Sequence, residues 1–185
     1  VGTFSGVNAD SYDENGKLIP QIYKEKTRKG RHRELVDFSV SGAIEQAQIA
    51  RDIAGPTAPI HINILWEMAA AEEILTRTLE KAGNIIDGVT CGAGMPYRLS
   101  EIAAKYGIFY YPIVSSARAF NALWKRSYRK TSKFLGGVVY EDPWLAGGHN
   151  GLSNSENPLS PEPPYPRVKA LRSLMNDFNL QEIPI

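Results

Sequence analysis

The sequence predicts an α/β fold built on a parallel sheet, and three observations predict it. Apolar residues recur first at helical and then at strand spacing, in strict alternation along most of the chain. The connections between those runs are short and carry Gly or Pro at their ends. Strands that alternate with helices pair in parallel, with the helices packed outside the sheet.

The elements follow in order. The first forty residues are polar and read as an irregular lead-in, with a turn at Asp13-Glu14-Asn15-Gly16. Lys24 to Arg33 concentrates six cations with Glu25 as the acid among them, which reads as a solvated face. Ala43, Ile44, Ala47, Ala50 and Ile53 mark a helix that Gly55-Pro56 ends. Pro59 to Leu65 is a strand with Ile60, Ile62 and Ile64 on one face and His61 and Asn63 on the other. Ala71, Ile74, Leu75, Thr78, Leu79 and Ala82 fit one helical face, stopped at Gly83. Ile85 to Thr90 is a strand running into Cys91-Gly92-Ala93-Gly94. Leu99, Ile102 and Ala103 give a helix closed by Gly107, and Ile108 to Val114 gives the next strand. Ala119, Phe120, Leu123 and Trp124 mark the helix after it, and Leu135 to Tyr140 is a strand. A Pro-rich loop over residues 153–166, either a lid over a substrate or a surface excursion, precedes a last helical stripe, Val168, Leu171, Met175 and Phe178. Ile183-Pro184-Ile185 reads as the opening of a strand. Periodicity leaves two closures open, a doubly wound sheet or a (β/α)8 barrel.

Composition narrows the function classes. At 185 residues with 43% hydrophobic and 22% charged residues, the chain has globular values and is long enough to bury a core. Its single cysteine, Cys91, excludes an internal disulfide framework and a Cys-cluster metal site, and points to a reducing, cytoplasmic compartment. A net charge of +1 gives no general attraction to nucleic acid or to an anionic membrane surface. No run of eighteen apolar residues predicts a membrane span.

Ligands of parallel α/β folds bind at the carboxyl ends of the strands, and that rule ranks the candidates. Four strand ends are polar or Gly-rich: His61/Asn63, the Gly92-Ala93-Gly94 run, Ser115-Ser116, and Glu141-Asp142 through Gly147-Gly148-His149-Asn150-Gly151. His149 stands between glycines beyond a strand, where an imidazole is able to titrate near neutrality and act as a general base, against the plainer reading of a turn whose histidine faces solvent. Gly147 and Gly148 permit backbone shapes closed to other residues and let a flat ligand approach closely. The Asn63 amide is able to donate to and accept from a heterocycle, against the plainer reading of a satisfied core amide. His61, deeper on that face, reads as structural. Gly92-Ala93-Gly94 is neither a P-loop nor a dinucleotide fingerprint, because no Lys-Ser/Thr pair and no third glycine follow. Cys91 reads as a small buried apolar residue, and Ser115 and Ser116 as caps of the following helix or ligand contacts.

Three motifs together carry a resemblance. The segments from Gly88 to Pro96 (GVTCGAGMP), Tyr111 to Arg118 (YPIVSSAR) and Ala146 to Gly151 (AGGHNG) resemble the nitronate monooxygenase family, also called the 2-nitropropane dioxygenases. Their order and spacing match from roughly Ser41 to Ile185. FMN-dependent enoyl-[acyl-carrier-protein] reductases are similar and share the barrel. The resemblance implies a TIM barrel that binds FMN at its carboxyl face, with His149 as catalytic histidine beside the flavin. It implies cofactor contacts from Asn63, Ser115, Asp142, Gly147 and Gly148, and no metal. The reaction implied consumes an alkyl nitronate or nitroalkane and O2 and yields a carbonyl compound and nitrite. A TIM barrel typically takes about 250 residues. The expectation is therefore one incomplete FMN-barrel domain over residues 1–185, covering roughly strands two to seven and truncated at both ends, with β/α units at 41–152 and the last helix and strand opening at 167–185. Such a piece leaves sheet edges open, allows an oligomer, and holds FMN weakly on its own. An NAD(P)H-dependent enoyl-thioester reductase is the alternative within this barrel, and a non-catalytic module that pairs its edges with another chain is the alternative outside it.

Overall fold

The computed structural model describes residues 12–19, 23–147, 152–154 and 156–185. The element order is α1 (Arg28–Ala54), β1 (His61–Leu65), α2 (Ala71–Ala82), β2 (Gly88–Gly92), α3 (Leu99–Tyr106), β3 (Phe109–Val114), α4 (Ala117–Arg126), β4 (Val139–Tyr140) and α5 (Pro164–Asp177). This is an α/β chain with parallel strand pairs, as the alternation predicts. The chain forms two compact units. One runs up to Ile64 and includes Met68–Asp87; the other holds Leu65–Glu67 and Gly88–Ile185.

In the first unit, α1 begins at Arg28, well inside the lead-in expected to stay irregular to residue 40. Thr27 caps it by accepting a hydrogen bond from the Gly30 N–H. The polar surface of these early turns hides their periodicity: the buried stripe is Val36, Val40, Ala43 and Ala47, spaced four, three and four. Ile53, assigned to that stripe from the sequence, is 83% exposed, because it lies on the last turn beyond the packed part of the helix. α2 buries the six residues its spacing picks out, Ala71, Ile74, Leu75, Thr78, Leu79 and Ala82. Strand β1 alternates as expected, with Ile62 and Ile64 buried and His61, Asn63 and Leu65 half-buried. Burial lowers the basicity of His61, and the nearby Asp87 carboxylate opposes that.

In the second unit, β2 pairs with β3 and β3 with β4, all parallel, in register Gly88–Phe109 to Cys91–Pro112 and Ile113–Val139 to Val114–Tyr140. Each β-α-β step moves one strand in the same direction. Right-handed crossovers then place α3 and α4 on one side of the sheet. A doubly wound sheet would instead reverse its strand order. The helix side is the core: Val89, Cys91, Tyr110 and Val114 from the strands, with Leu99, Ala103, Phe120 and Leu123 from the helices, all buried. Tyr110 meets Tyr128 edge-on at 4.9 Å, and the Tyr128 hydroxyl donates to the Pro96 carbonyl at 3.0 Å. The opposite side carries Phe109 (48% exposed), Tyr111 and Val139.

The strand expected over Leu135 to Tyr140 shortens to Val139–Tyr140. Single 3-10 turns at Tyr128–Lys130 and Ser132–Phe134 lead into it, and Leu135 makes one isolated bridge to Tyr110. The Tyr111 ring lies on Gly136 so closely that an added Cβ would sit 2.4 Å from it, so this backbone packs under a ring instead of extending a ladder. After α5 the chain returns to β4, where the Val138 N–H donates to the Pro184 carbonyl at 2.9 Å. No strand precedes α1 among the described residues apart from an isolated antiparallel bridge, Tyr12–Leu18, so the second barrel strand expected near the start is not seen there. The strands described make an open run and no closed barrel.

Candidate functional site

A cavity of about 740 Å³ lies beyond the ends of β2 and β3 in the second unit, walled also by α4, α5 and the segment before α5. Four pieces of chain supply its wall. Gly94 and Met95 come after β2, Ser115 and Ser116 after β3, and Arg118 from the first turn of α4. Arg167 comes from the first turn of α5, and Ser153, Glu156 and Glu162 from the segment before α5.

Each piece is placed by local chemistry. Beyond β2 the chain turns through two left-handed residues, Ala93 (φ 57°) and Gly94 (φ 108°). Ala93 bears the cost of that conformation, and Gly94 carries it without strain. The second glycine also lies against Glu67, whose Cγ would be 3.0 Å from an added Cβ. Beyond β3, Ser116 adopts extended backbone and its hydroxyl accepts from the Ala119 N–H at 3.2 Å, so it is the cap of α4. Ser115 lies beside it and lends its carbonyl to Arg167.

Arg167 is the electrostatic centre of the site. Its guanidinium pairs with Glu156 and with Glu162 (3.0 Å), donates to the Ser115 carbonyl (3.3 Å), and lies 4.8 Å over the Trp144 ring. The Arg167 and Glu156 side chains are 15% and 13% exposed, so this pair is drier than a surface ion pair. Burial alone would raise the Glu156 carboxyl, but the Ser153 N–H and the Arg167 guanidinium outweigh it and hold the group below the usual carboxylate range. Burial would lower Arg167, and its two carboxylate partners instead push it up. Nearby, burial raises the Tyr140 phenol, assisted by Asp142, and its buried hydroxyl meets no hydrogen-bond partner among the described residues.

The sequence-derived candidates separate. Ser115 lines the cavity. Asp142 does not line it; its carboxylate accepts from the Trp144 N–H at 2.9 Å and its carbonyl from Leu145 at 3.1 Å, which makes it the closer of a turn. Gly147 donates its N–H to Glu141 at 3.2 Å. Its φ lies outside the left-handed region, and nothing among the described residues comes within 4 Å of an added Cβ. Gly148 and His149 lie outside the described residues. Asn63 is half-buried on β1 in the first unit. Cys91 is fully buried, and burial pushes its thiol far up, which suits the apolar role and not a nucleophile. Among the described residues no three His, Cys, Asp or Glu side chains group as metal ligands, and no helix is long and apolar enough to cross a membrane.

Sequence reasoning missed Arg167, Glu156 and Glu162. One signal was legible. A cation in the first turn of a helix opposes the helix dipole, so Arg167 needs anions close by. Glu156 and Glu162 stand in the loop just before it. No family model and no curated protein matches the chain.

Proposed function

We propose that this chain acts in an FMN-dependent oxidoreductase of the nitronate monooxygenase type, converting an alkyl nitronate and O2 to a carbonyl compound and nitrite. The observation that carries the reading is the placement of the cavity. It lies beyond the carboxyl ends of the parallel strands β2 and β3, the place where ligands of parallel α/β folds bind.

The residues present fit a flat heteroaromatic group. About 740 Å³ lies in the range of small-molecule sites. Met95, Ala119, Ala122 and Ala170 give it apolar wall, and Ser115 and Ser116 give it a polar edge. Ser115 would hold the cofactor from the end of β3, and Gly94 would keep the wall thin beside it. Bound FMN would supply the electron acceptor of the reaction. In the same reading His149 takes the α-proton of a neutral nitroalkane, a step that a preformed nitronate does not need.

Purified protein tests this directly. Denaturation is expected to release FMN, and a nitronate in air is expected to consume O2 without NAD(P)H. His149→Ala should retain the flavin and lose about a hundredfold or more on neutral nitroalkanes, with a smaller loss on preformed nitronate. Thioester reduction that requires NADH would select the enoyl reductase instead. Protein that releases no flavin and oxidises no nitronate would overturn the reading in favour of a non-catalytic module.

A further inference from the structure

The wall of the cavity is of two kinds. Gly94, Met95 and the Ser115–Ala119 turn are fixed by the β2–β3 ladder and by the cap of α4. Ser153, Glu156 and Glu162 belong to a strap of turns, residues 152–154 and 156–163, that joins no sheet or helix. Among its bonds are local ones: Glu156 N–H to the Ser153 carbonyl at 3.0 Å, Ser160 N–H to the Asn157 carbonyl at 3.1 Å, and Ser153 N–H to the Glu156 carboxylate at 2.6 Å. Its middle is open to water, with Leu159 91% exposed. Side chains of Trp144 and Arg167 hold it. The Trp144 indole N–H donates to the Asn157 carbonyl at 3.0 Å. Arg167 holds Glu156 near one end and Glu162 near the other, while its remaining nitrogen reaches the Ser115 carbonyl and its face covers Trp144.

We propose that Arg167 is the latch of this strap: paired with Glu156 and Glu162 it holds the strap against the cavity, and parting of those pairs opens the way in. The inference deepens the ligand-site reading of the cavity and rests on it. The physical basis is the kind of bond used. A ladder yields only when a strand moves, whereas a side-chain carboxylate leaves a guanidinium by changing rotamer. All three guanidinium nitrogens are engaged, so the strap and the tip of β3 share one side chain, and loosening it frees both ends of the strap together. The carboxylate of Glu156 stays charged at neutral pH, so the latch is closed there.

Hydrogen exchange on the whole chain tests this without any ligand, using Arg167→Met and the double variant Glu156→Gln/Glu162→Gln. Amides of the strap should exchange at least about tenfold faster in both, with β3 and α3 unchanged. The association rate of free FMN, followed by quenching of its fluorescence, should rise in the same variants. The double variant keeps Arg167 and decides the matter if Arg167→Met does not fold. Unchanged strap exchange in the double variant would overturn the latch, as would acceleration shared equally by β3 and α3, which marks a general structural tie. Faster strap exchange with an unchanged FMN association rate would overturn the gating role. Faster strap exchange in a protein that binds no FMN would uphold the latch and sink the flavin reading.

Discussion

Two well-buried arginines, Arg51 in the first unit and Arg167 in the second, hold different partners. Arg51, on the last turn of α1, is 14% exposed and gives its guanidinium mainly to backbone: the carbonyls of Gly55 (3.1 Å), Ala58 (2.5 Å) and Ile85 (2.9 Å), with Asp87 at 2.8 Å. Asp87 in turn accepts from the Ile60 N–H at 2.7 Å, so the entry to β1 and the loop after α2 close on one side chain. Arg167 is equally buried and holds two side-chain carboxylates. A carbonyl cannot turn away from its guanidinium unless the chain moves. A carboxylate turns away alone. The first arrangement is a fixed staple and the second a releasable one, although the burial and the donor are the same.

The largest expected effect separates the two. Arg51→Met leaves three buried or half-buried carbonyls without their donor and Asp87 without its cation, and should destabilise the fold by about 2–4 kcal/mol, read from urea unfolding. Arg167→Met should cost the global fold less and act mainly on the strap. Equal losses of stability from the two would erase the distinction.

A smaller effect comes from pH. The folded Glu156 carboxyl lies below its ordinary value. Its contribution is therefore complete above the unfolded value, about 4.5, and lost as pH falls through the lower folded one. The strap should stay closed through neutrality and loosen only in acid below the usual carboxylate range, seen as a change in Trp144 fluorescence that Glu156→Gln abolishes. Loosening already at pH 6 would contradict the assignment. The smallest effect is expected at Gly147. With ordinary φ and open space, Gly147→Ala should change stability by no more than about 0.5 kcal/mol and leave the cavity intact. A large loss would restore the special backbone role first assigned to it.

Legibility followed the range of the cause. The α2 stripe was readable in full, because a helix that buries one face repeats its apolar residues within four positions. The caps at Gly55, Gly107 and Ser116 were readable for the same reason. The first turns of α1 were not, because exposed cations and acids fill them and one narrow stripe is buried. Strand β4 was overestimated, because its residues have strand character while Gly136 lies under the Tyr111 ring from another strand. Of the cavity wall, the position of Ser115 beyond β3 was legible from the strand that precedes it. That of Arg167 was not, since its partners include a carbonyl far back in the chain.

The sequence by itself determined an alternating α/β chain, its helix faces and most of its stops, because periodicity and capping are set within a few residues. Tertiary structure decided which strand ends share a cavity, which of two similar arginines is fixed and which releasable, and why Asp142 closes a turn. Those outcomes depend on groups brought together from distant parts of the chain, and no local spacing encodes which carboxylate a guanidinium will meet.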